Sequence, residues 1–584
     1  MTKRLFKYVS RHKARYALGA ACLFATASLV MLIPYLTRLA IDAIATASSS
    51  GQAATSVGKY ALAIIVVAIV QALARTASRT LIFNTGRDIE YQLRSDLFSH
   101  LETLPQSYYQ RQRTGDLMSR LVNDINAIRL MLGVGVLTLV NTPLYVVYAF
   151  TMMLMMDWRL TLAAMVPFPL MFWVVKRYSA AMMEAMVKTQ EKLADMSSHV
   201  QENLSGIHVI KAYVRERSRS QAFALINEDF KEHSMSVARL RGRIFPFVRI
   251  VSSLSILVVL YYGGILVVAG DLSIGQFVAF MAYLHILAWP IMAMGWMISI
   301  YQRAKAAILR LSEIFDTLPE IRNAESTVET VRMRGEIRFE NVEFGYSSPR
   351  NGHAVLENLD LHIPAGSSLG IIGRTGAGKS TMAALIPRMF DVSSGRVLID
   401  GVDVRQWDLN CLRSNIGFVP QDAFLFSSSI GENIEFAEDS VSADEMTRLV
   451  ELAGLDSDII EFPHGLETQV GERGVTLSGG QKQRLTLARA IARDPAILVL
   501  DDSLSAVDAA TEARILEQLE GVMRGRTSII ISHRVSSVRK ADQIAVIDGG
   551  RIIEVGNHEA LVDNDGSYAE LYRRQRLSEE LEAM

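Results

Sequence analysis

The sequence predicts two domains of unlike class: an all-α membrane domain of six helices, followed by an α/β domain built around a phosphate-binding loop. Three observations predict it. Apolar runs long enough to cross a bilayer recur before residue 305 and stop there. Gly373-Arg374-Thr375-Gly376-Ala377-Gly378-Lys379-Ser380 matches G-x-x-x-x-G-K-[ST] and follows the apolar run Ser368–Ile372. A second apolar run, Ile497–Leu500, ends in two consecutive carboxylates, Asp501 and Asp502.

At 584 residues the chain is too long for one core. A net charge of -1 gives no compositional support for a nucleic-acid partner. Cys22 and Cys411 stand in unlike surroundings, so no disulfide between them is expected, and no ligand spacing suggests a structural metal.

Residues 1–15 interleave Lys and Arg with Leu5, Phe6, Tyr8 and Val9, as either a frayed basic tail or a short helix on the inner membrane surface. The run Tyr16–Leu36 is long enough to span. Its basic start and Ala43-Ile44-Ala45 imitate a signal peptide, but the run is too long for one and further spans follow. Those are Val57–Phe83, Val134–Met156, Leu160–Tyr178, Phe245–Ala269 and Ile274–Ile300. The connections at 45–56 and 270–273 hold no Lys or Arg, whereas those at 84–133 and 176–244 are dense in both. By the positive-inside rule the N-terminus, both long connections and the C-terminal half face the cytoplasm of a cell with this chain in its inner membrane.

The long connections read as helical hairpins projecting from the membrane. Over Leu193–Val214, Val200, Leu204, Ile207, Val209 and Ile210 fall near a helical period with no proline, and the tips are placed at Gln112–Asp116 and near Ser205-Gly206. Tyr301–Leu318 continues as a polar helix up to Pro319. The boundaries expected are 1–318 for the membrane domain, 319–334 for a linker and 335–584 for the α/β domain. In the latter, strands are expected at Glu336–Phe344, Val355–Ile363 and Arg396–Ile399, with hairpin turns at Asp400-Gly401 and Gly549-Gly550.

The phosphate loop lies between a strand and a helix expected over Thr381–Met389, the context that makes the match specific. Backbone N–H groups of Gly376–Lys379 suit phosphate oxygens, Lys379 suits the β- and γ-phosphates, and Ser380 suits Mg²⁺. Asp501, at a strand's carboxyl end, suits the same cation. Gln421, after Ile416–Pro420, is a candidate to complete the metal shell. His533, ending the apolar run Ser528–Ile531, is a candidate γ-phosphate contact. A lone His would more often be structural, but one at a strand end beside a triphosphate site is a reasonable contact; for Gln421, spacing alone is evenly balanced between the two readings.

These residues together resemble ATP-binding cassette (ABC) transporters, over essentially the whole chain. In family order stand Tyr346, the loop 373–380 with Thr381 after it, Gln421, the signature Leu477-Ser478-Gly479-Gly480-Gln481, Asp501, the loop around Asp508, and His533. Six spans ahead of the cassette, and Gly471-Glu472-Arg473-Gly474 before the signature, resemble the exporter-type half-transporters (type IV exporters). The resemblance implies ATP and Mg²⁺ as ligands, with Tyr346 stacking on adenine. It also implies a dimer in which each ATP lies between one chain's phosphate loop and the other's signature.

One departure carries weight. The family's hydrolytic base is usually Glu directly after the Mg²⁺-binding Asp, and here it is Asp502. One methylene less draws the carboxylate back by roughly 1.5 Å, and misplacement of about 1 Å costs on the order of a hundredfold in rate. Leu500–Asp508 resembles the degenerate-site subunit of heterodimeric multidrug exporters, so a partner chain bearing the Glu is expected; a homodimer is the alternative.

For the cargo, the spans offer Met152, Met153, Met155, Met156, Met281, Met292, Met294 and Met297 with Tyr145, Tyr148, Trp289 and Trp296. Most such residues pack or face lipid, although flexible Met suits varied apolar ligands. His285, near mid-bilayer in the last span, is the candidate cavity residue. Arg38 and Asp42, near the outer boundary, ask for no functional role. The leading expectation is ATP-driven export of hydrophobic or amphipathic compounds. A lipid flippase or a siderophore or vitamin transporter on the same fold are the alternatives, and six spans exclude a soluble cassette ATPase.

Overall fold

The structure is a computed structural model and describes residues 2–46, 52–329, 333–346, 354–438, 440–471, 474, 476–506 and 509–582. It divides into two units, Met1–Glu102 with Gly115–Thr317, and Thr103–Thr114 with Leu318–Met584.

The first unit is all-α. Five stretches among the described residues are long and apolar enough to cross a membrane: Lys13–Ala45, Val57–Glu102, Thr114–Met156, Trp158–Ser205 and Glu216–Ala269. The sixth expected span opens the helix Ile274–Asp316, with Ile274–Leu287 as its apolar stretch among the described residues. These helices outrun a bilayer. Lys13–Thr46 has 34 residues, about 50 Å at 1.5 Å per residue, against about 30 Å of hydrocarbon. The N-terminal segment is an ordered helix, Thr2–Arg11, that buries Leu5 and Tyr8 and exposes Phe6. The frayed tail is therefore set aside.

The connections 84–133 and 176–244 are helical, with breaks. Near the tip expected at Ser205-Gly206 the helix breaks: Pro167–Ser205 ends at Gly206, Ile207–Ala212 follows, and the chain turns at Val214 with φ 52°. Single π-helical turns at Arg120–Asp124, Met131–Gly135 and Val259–Gly263 left no trace in the apolar spacing.

Inside this unit Met31, Met153, Phe280 and Tyr283 form one core, and the Tyr283 hydroxyl donates to the Met31 carbonyl (2.7 Å). Met153 is thus a packing residue. His285 is exposed on the chain, and the side chains of Trp289, Met292 and Met294 lie outside the described residues. Asp42 has a structural task that the sequence did not announce. It accepts from the Ser273 hydroxyl (3.0 Å) and the Gly275 N–H (2.9 Å), fastening the first long helix to the start of the last.

The second unit is α/β. Its strands are β1 Ile337–Phe344, β2 Leu356–Ile363, β3 Ser368–Gly373, β4 Ser394–Ile399, β5 Val402–Asp403, β6 Ile416–Val419, β7 Ile497–Asp501, β8 Thr527–Ile531, β9 Gln543–Asp548 and β10 Arg551–Gly556. One sheet has the order β2-β1-β4-β5 and is antiparallel; the other runs β10-β9-β3-β8-β7-β6. In the six-stranded sheet all neighbours are parallel except β9 and β10. Strand β7 is buried throughout, with Ile497 and Val499 in one core and Leu498 and Leu500 in the other. Both faces of a parallel sheet are covered here, which is why its strands read as continuous apolar runs.

Both two-residue hairpins form with paired positive φ, 52° and 79° at Asp400-Gly401 and 54° and 80° at Gly549-Gly550, the type I′ signature. The phosphate-loop helix is Lys379–Leu385, starting two residues before the expected Thr381 and stopping short of Met389. Part of the expected linker is strapped to its own unit: Val328 N–H donates to the Gln406 carbonyl (2.9 Å), and Leu409 N–H to Asn323 Oδ1 (2.9 Å).

Candidate nucleotide site

The site is assembled at the carboxyl ends of parallel strands. β3 delivers the phosphate loop, β7 delivers Asp501 and Asp502, β6 leads to Gln421, and β8 leads to His533. That edge is where open parallel sheets bind ligands, because helix N-termini and strand ends converge there.

The loop's glycines have separate reasons. Gly378 has φ 101°, and a Cβ there would sit 2.8 Å from Leu356 Cδ2 and 3.1 Å from the Val355 carbonyl. At Gly373 a Cβ would lie 2.1 Å from the Ile547 carbonyl oxygen. Lys379 is 6 % exposed, and its ammonium donates to the carbonyls of Gly373 (2.9 Å) and Arg374 (3.0 Å). Burial pushes its pKa down, with the Asp502 and Asp501 charges working the other way. A desolvated ammonium held on two neutral carbonyls is primed to exchange them for phosphate oxygens.

The Ser380 hydroxyl donates to Asp501 Oδ1 (2.9 Å), which brings both predicted cation ligands together. Burial raises the Asp501 carboxyl, partly offset by that hydrogen bond. Tyr346 packs edge-on against Phe344 (5.0 Å) and Phe390 (5.4 Å) and shares a hydrogen bond with the Thr381 hydroxyl (3.1 Å). Its ring is thereby fixed while still 36 % exposed.

A cavity of about 280 Å³ gathers Tyr346, Thr375, Gly376, Gly378, Lys379, Ser380, Thr381, Gln421, Asp501, Asp502 and His533, the predicted residues that meet. Gly373, Arg374 and Ala377 do not line it. Nor do Ser478, Gly479, Gly480 and Gln481. Ser478 and Gln481 cap the helix Gly479–Ala492 reciprocally, and Gln481 Nε2 donates to Asp458 (2.7 Å). Asp508, Glu472 and Arg473 lie outside the described residues.

Asp502 has φ 47°, the left-handed region that Asp and Asn enter more readily than other side chains. Its N–H donates to the Ile531 carbonyl (2.9 Å). Sequence reasoning missed Gln483, whose amide bonds Ser505 Oγ (3.1 Å) and accepts from Ala506 N–H (3.0 Å), tying the signature helix to the segment after Asp502. It also missed Gln575, whose amide donates to the His533 carbonyl (2.6 Å). Gln483 stands two residues past the signature, a positional hint; nothing near Gln575 signals its task.

Comparison with known proteins gives a consistent result. The ABC transporter transmembrane region matches residues 16–291 and the ABC transporter domain residues 356–505. The multidrug resistance-like ATP-binding protein MdlA of Escherichia coli (strain K12) is 35% identical over 99% of this chain and 98% of its own. The ATP-dependent lipid A-core flippase of Syntrophus aciditrophicus (strain SB) is 31% identical over 98% of this chain and 94% of its own. Among solved structures, a bacterial Atm1-family ABC exporter with ATP bound superposes with a TM-score of 0.79 at 26% identity, covering 97% of this chain and 99% of that one.

Proposed function

Because the chain belongs to the ABC transporter family and is an exporter-type, multi-pass membrane protein whose cassette binds ATP and couples its hydrolysis to transport, we propose that it exports hydrophobic or amphipathic compounds as one half of a heterodimer. The carrying observation is the make-up of the cavity: it gathers the phosphate loop, Asp501 and His533, closes on Asp502, and leaves out the chain's own signature.

In this reading the ATP phosphates displace the carbonyls of Gly373 and Arg374 from Lys379, and Tyr346 takes the adenine. The oxygens of Ser380 and Asp501, with Gln421 at the cavity edge, fit a hard divalent cation, so these residues would hold Mg²⁺. Mg²⁺ there would supply charge neutralisation to the β- and γ-phosphates. His533 faces the γ-phosphate. Asp502 holds the position of the base on a side chain one methylene short, so this site retains ATP and turns it over slowly. Ser478–Gln481, at a helix N-terminus, serves the partner's ATP. The cassette and the long helical connections face the cytoplasm.

The test is direct. The purified chain alone should hydrolyse ATP slowly, and co-assembly with a half-transporter carrying Glu after its Mg²⁺-binding Asp should raise the rate. Vigorous hydrolysis by the chain alone, indifferent to Asp502→Ala, would sink the heterodimer reading. In proteoliposomes, ATP-driven movement of several unrelated apolar dyes supports multidrug export, and activity confined to one lipid supports a flippase, the reading favoured by the lipid A-core flippase likeness.

A further inference from the structure

Beside the nucleotide cavity lies a second cavity of about 190 Å³, lined by Ser503, Leu504, Glu512, Ser532, Arg534 and Ser537 among others; Asp502, Ile531 and His533 line both. A backbone that borders open space is held less firmly by packing, so its hydrogen bonds matter for where His533 sits.

Ser532 N–H donates to the Ile371 carbonyl of β3 (3.1 Å), and past it the bonds come from two directions. Arg534 N–H donates to Ser532 Oγ (3.0 Å), and Glu512, itself buried, accepts from Arg534 and Ser537. From the other direction comes one side chain of the C-terminal helix Ser567–Glu582. Gln575 Nε2 donates to the His533 carbonyl (2.6 Å), and its Oε1 accepts from Val535 N–H (2.7 Å). The amide thus brackets Arg534 and satisfies the backbone on both sides of it. The orientation is unambiguous, because the flipped amide would set N–H against N–H and oxygen against oxygen.

The helix that carries Gln575 is itself anchored. Tyr568 is fully buried and its hydroxyl bonds His558 (2.7 Å); Ser567 N–H donates to Glu554 (2.6 Å). Residue 575 lies two turns beyond 568 on the same face. The bracket therefore transmits the position of a rigid helix, outside the matched region 356–505, to the backbone of His533.

We propose that Gln575 is a positioning residue for His533, making the C-terminal helix part of the machinery that distinguishes a triphosphate from a diphosphate. The proposal rests on the reading that His533 faces the γ-phosphate. The readout is binding by the full-length chain in detergent, which does not depend on how fast this site hydrolyses. Mg-ATP and Mg-ADP affinities are compared for the wild type, His533→Ala, Gln575→Ala, Gln575→Glu and the double variant His533→Ala with Gln575→Ala. Gln575→Glu keeps the acceptor for Val535 N–H but sets a carboxylate against the His533 carbonyl, so it tests the donor should the alanine variant fold poorly.

His533→Ala and both Gln575 variants are expected to lower the preference for ATP over ADP by roughly tenfold, at unchanged ADP affinity. In the His533→Ala background Gln575→Ala should cost nothing further. A Gln575 variant that keeps the preference, or costs as much without His533 as with it, overturns the proposal while the reading of His533 stands. If His533→Ala itself keeps the preference, that reading falls and the proposal with it.

Discussion

Asp501 and Asp502 are adjacent carboxylates whose environments differ. Burial holds the Asp501 pKa above its ordinary 3.8. For a carboxyl raised on folding, stability is unaffected below the unfolded value and falls as pH rises from there through the folded value. The nucleotide-free chain therefore loses stability across that window, and Mg-ATP, which needs the ionised carboxylate, gains affinity across it. Thermal melts from about pH 4 upward, with and without Mg-ATP, should show the two trends crossing, and Asp501→Asn should flatten both. A melt whose pH dependence is untouched by Asp501→Asn would place the titration elsewhere. At Asp502 the backbone lies at φ 47°. Asp502→Glu is expected to raise the ATPase rate of the chain alone by restoring the carboxylate's reach, and to cost about 1 kcal/mol because Glu tolerates that region less well. The rate and the melting temperature of one variant check both. A rate no higher than wild type would show that the missing methylene is not what limits hydrolysis.

The elements were legible where a local rule governs them. The strand–loop–helix of β3, the phosphate loop and the helix Lys379–Leu385 followed from apolar spacing and glycine; the type I′ hairpins followed from Asp400-Gly401 and Gly549-Gly550. What stayed hidden depends on distant partners. The amide of Gln575 meets His533 from 42 positions away, and Asp42 meets Ser273 and Gly275 from more than two hundred. No short-range pattern records such pairings, and π-helical turns leave the apolar periodicity nearly intact. The Asp42 fastening makes a prediction of its own. A Cβ at Gly275 would lie 2.3 Å from the Arg38 carbonyl and 2.5 Å from Asp42 Oδ1. Gly275→Ala must therefore force apart the ends of Lys13–Thr46 and Ile274–Asp316, lowering the melting temperature of the detergent-solubilised chain. Gly264→Ala is the control, because a Cβ there meets nothing within 4 Å. Equal melting of the two variants would mean that this approach is not tight.

At the scale of the whole molecule, orientation in the membrane is set by charge rather than by any single contact. The turn Gly270–Ser273 carries no Lys or Arg and joins two apolar helices, whereas 84–133 and 176–244 carry them densely. Moving a guanidinium across the hydrocarbon costs several kcal/mol, so the asymmetry is retained once the chain inserts. Cys22 and Cys411 are the natural thiols, and replacing both by Ser gives a background for single reporters. A Cys introduced by Asp271→Cys should react with a membrane-impermeant maleimide in intact cells. One introduced by Arg217→Cys, at the start of the helix Glu216–Val258, should react only after the membrane is opened. The opposite pattern would invert the chain, placing the cassette where no ATP is supplied, and the export reading would go with it. Reaction of both sites in intact cells would instead mean that Glu216–Ala269, the stretch between them, does not span, and that six crossings are too many.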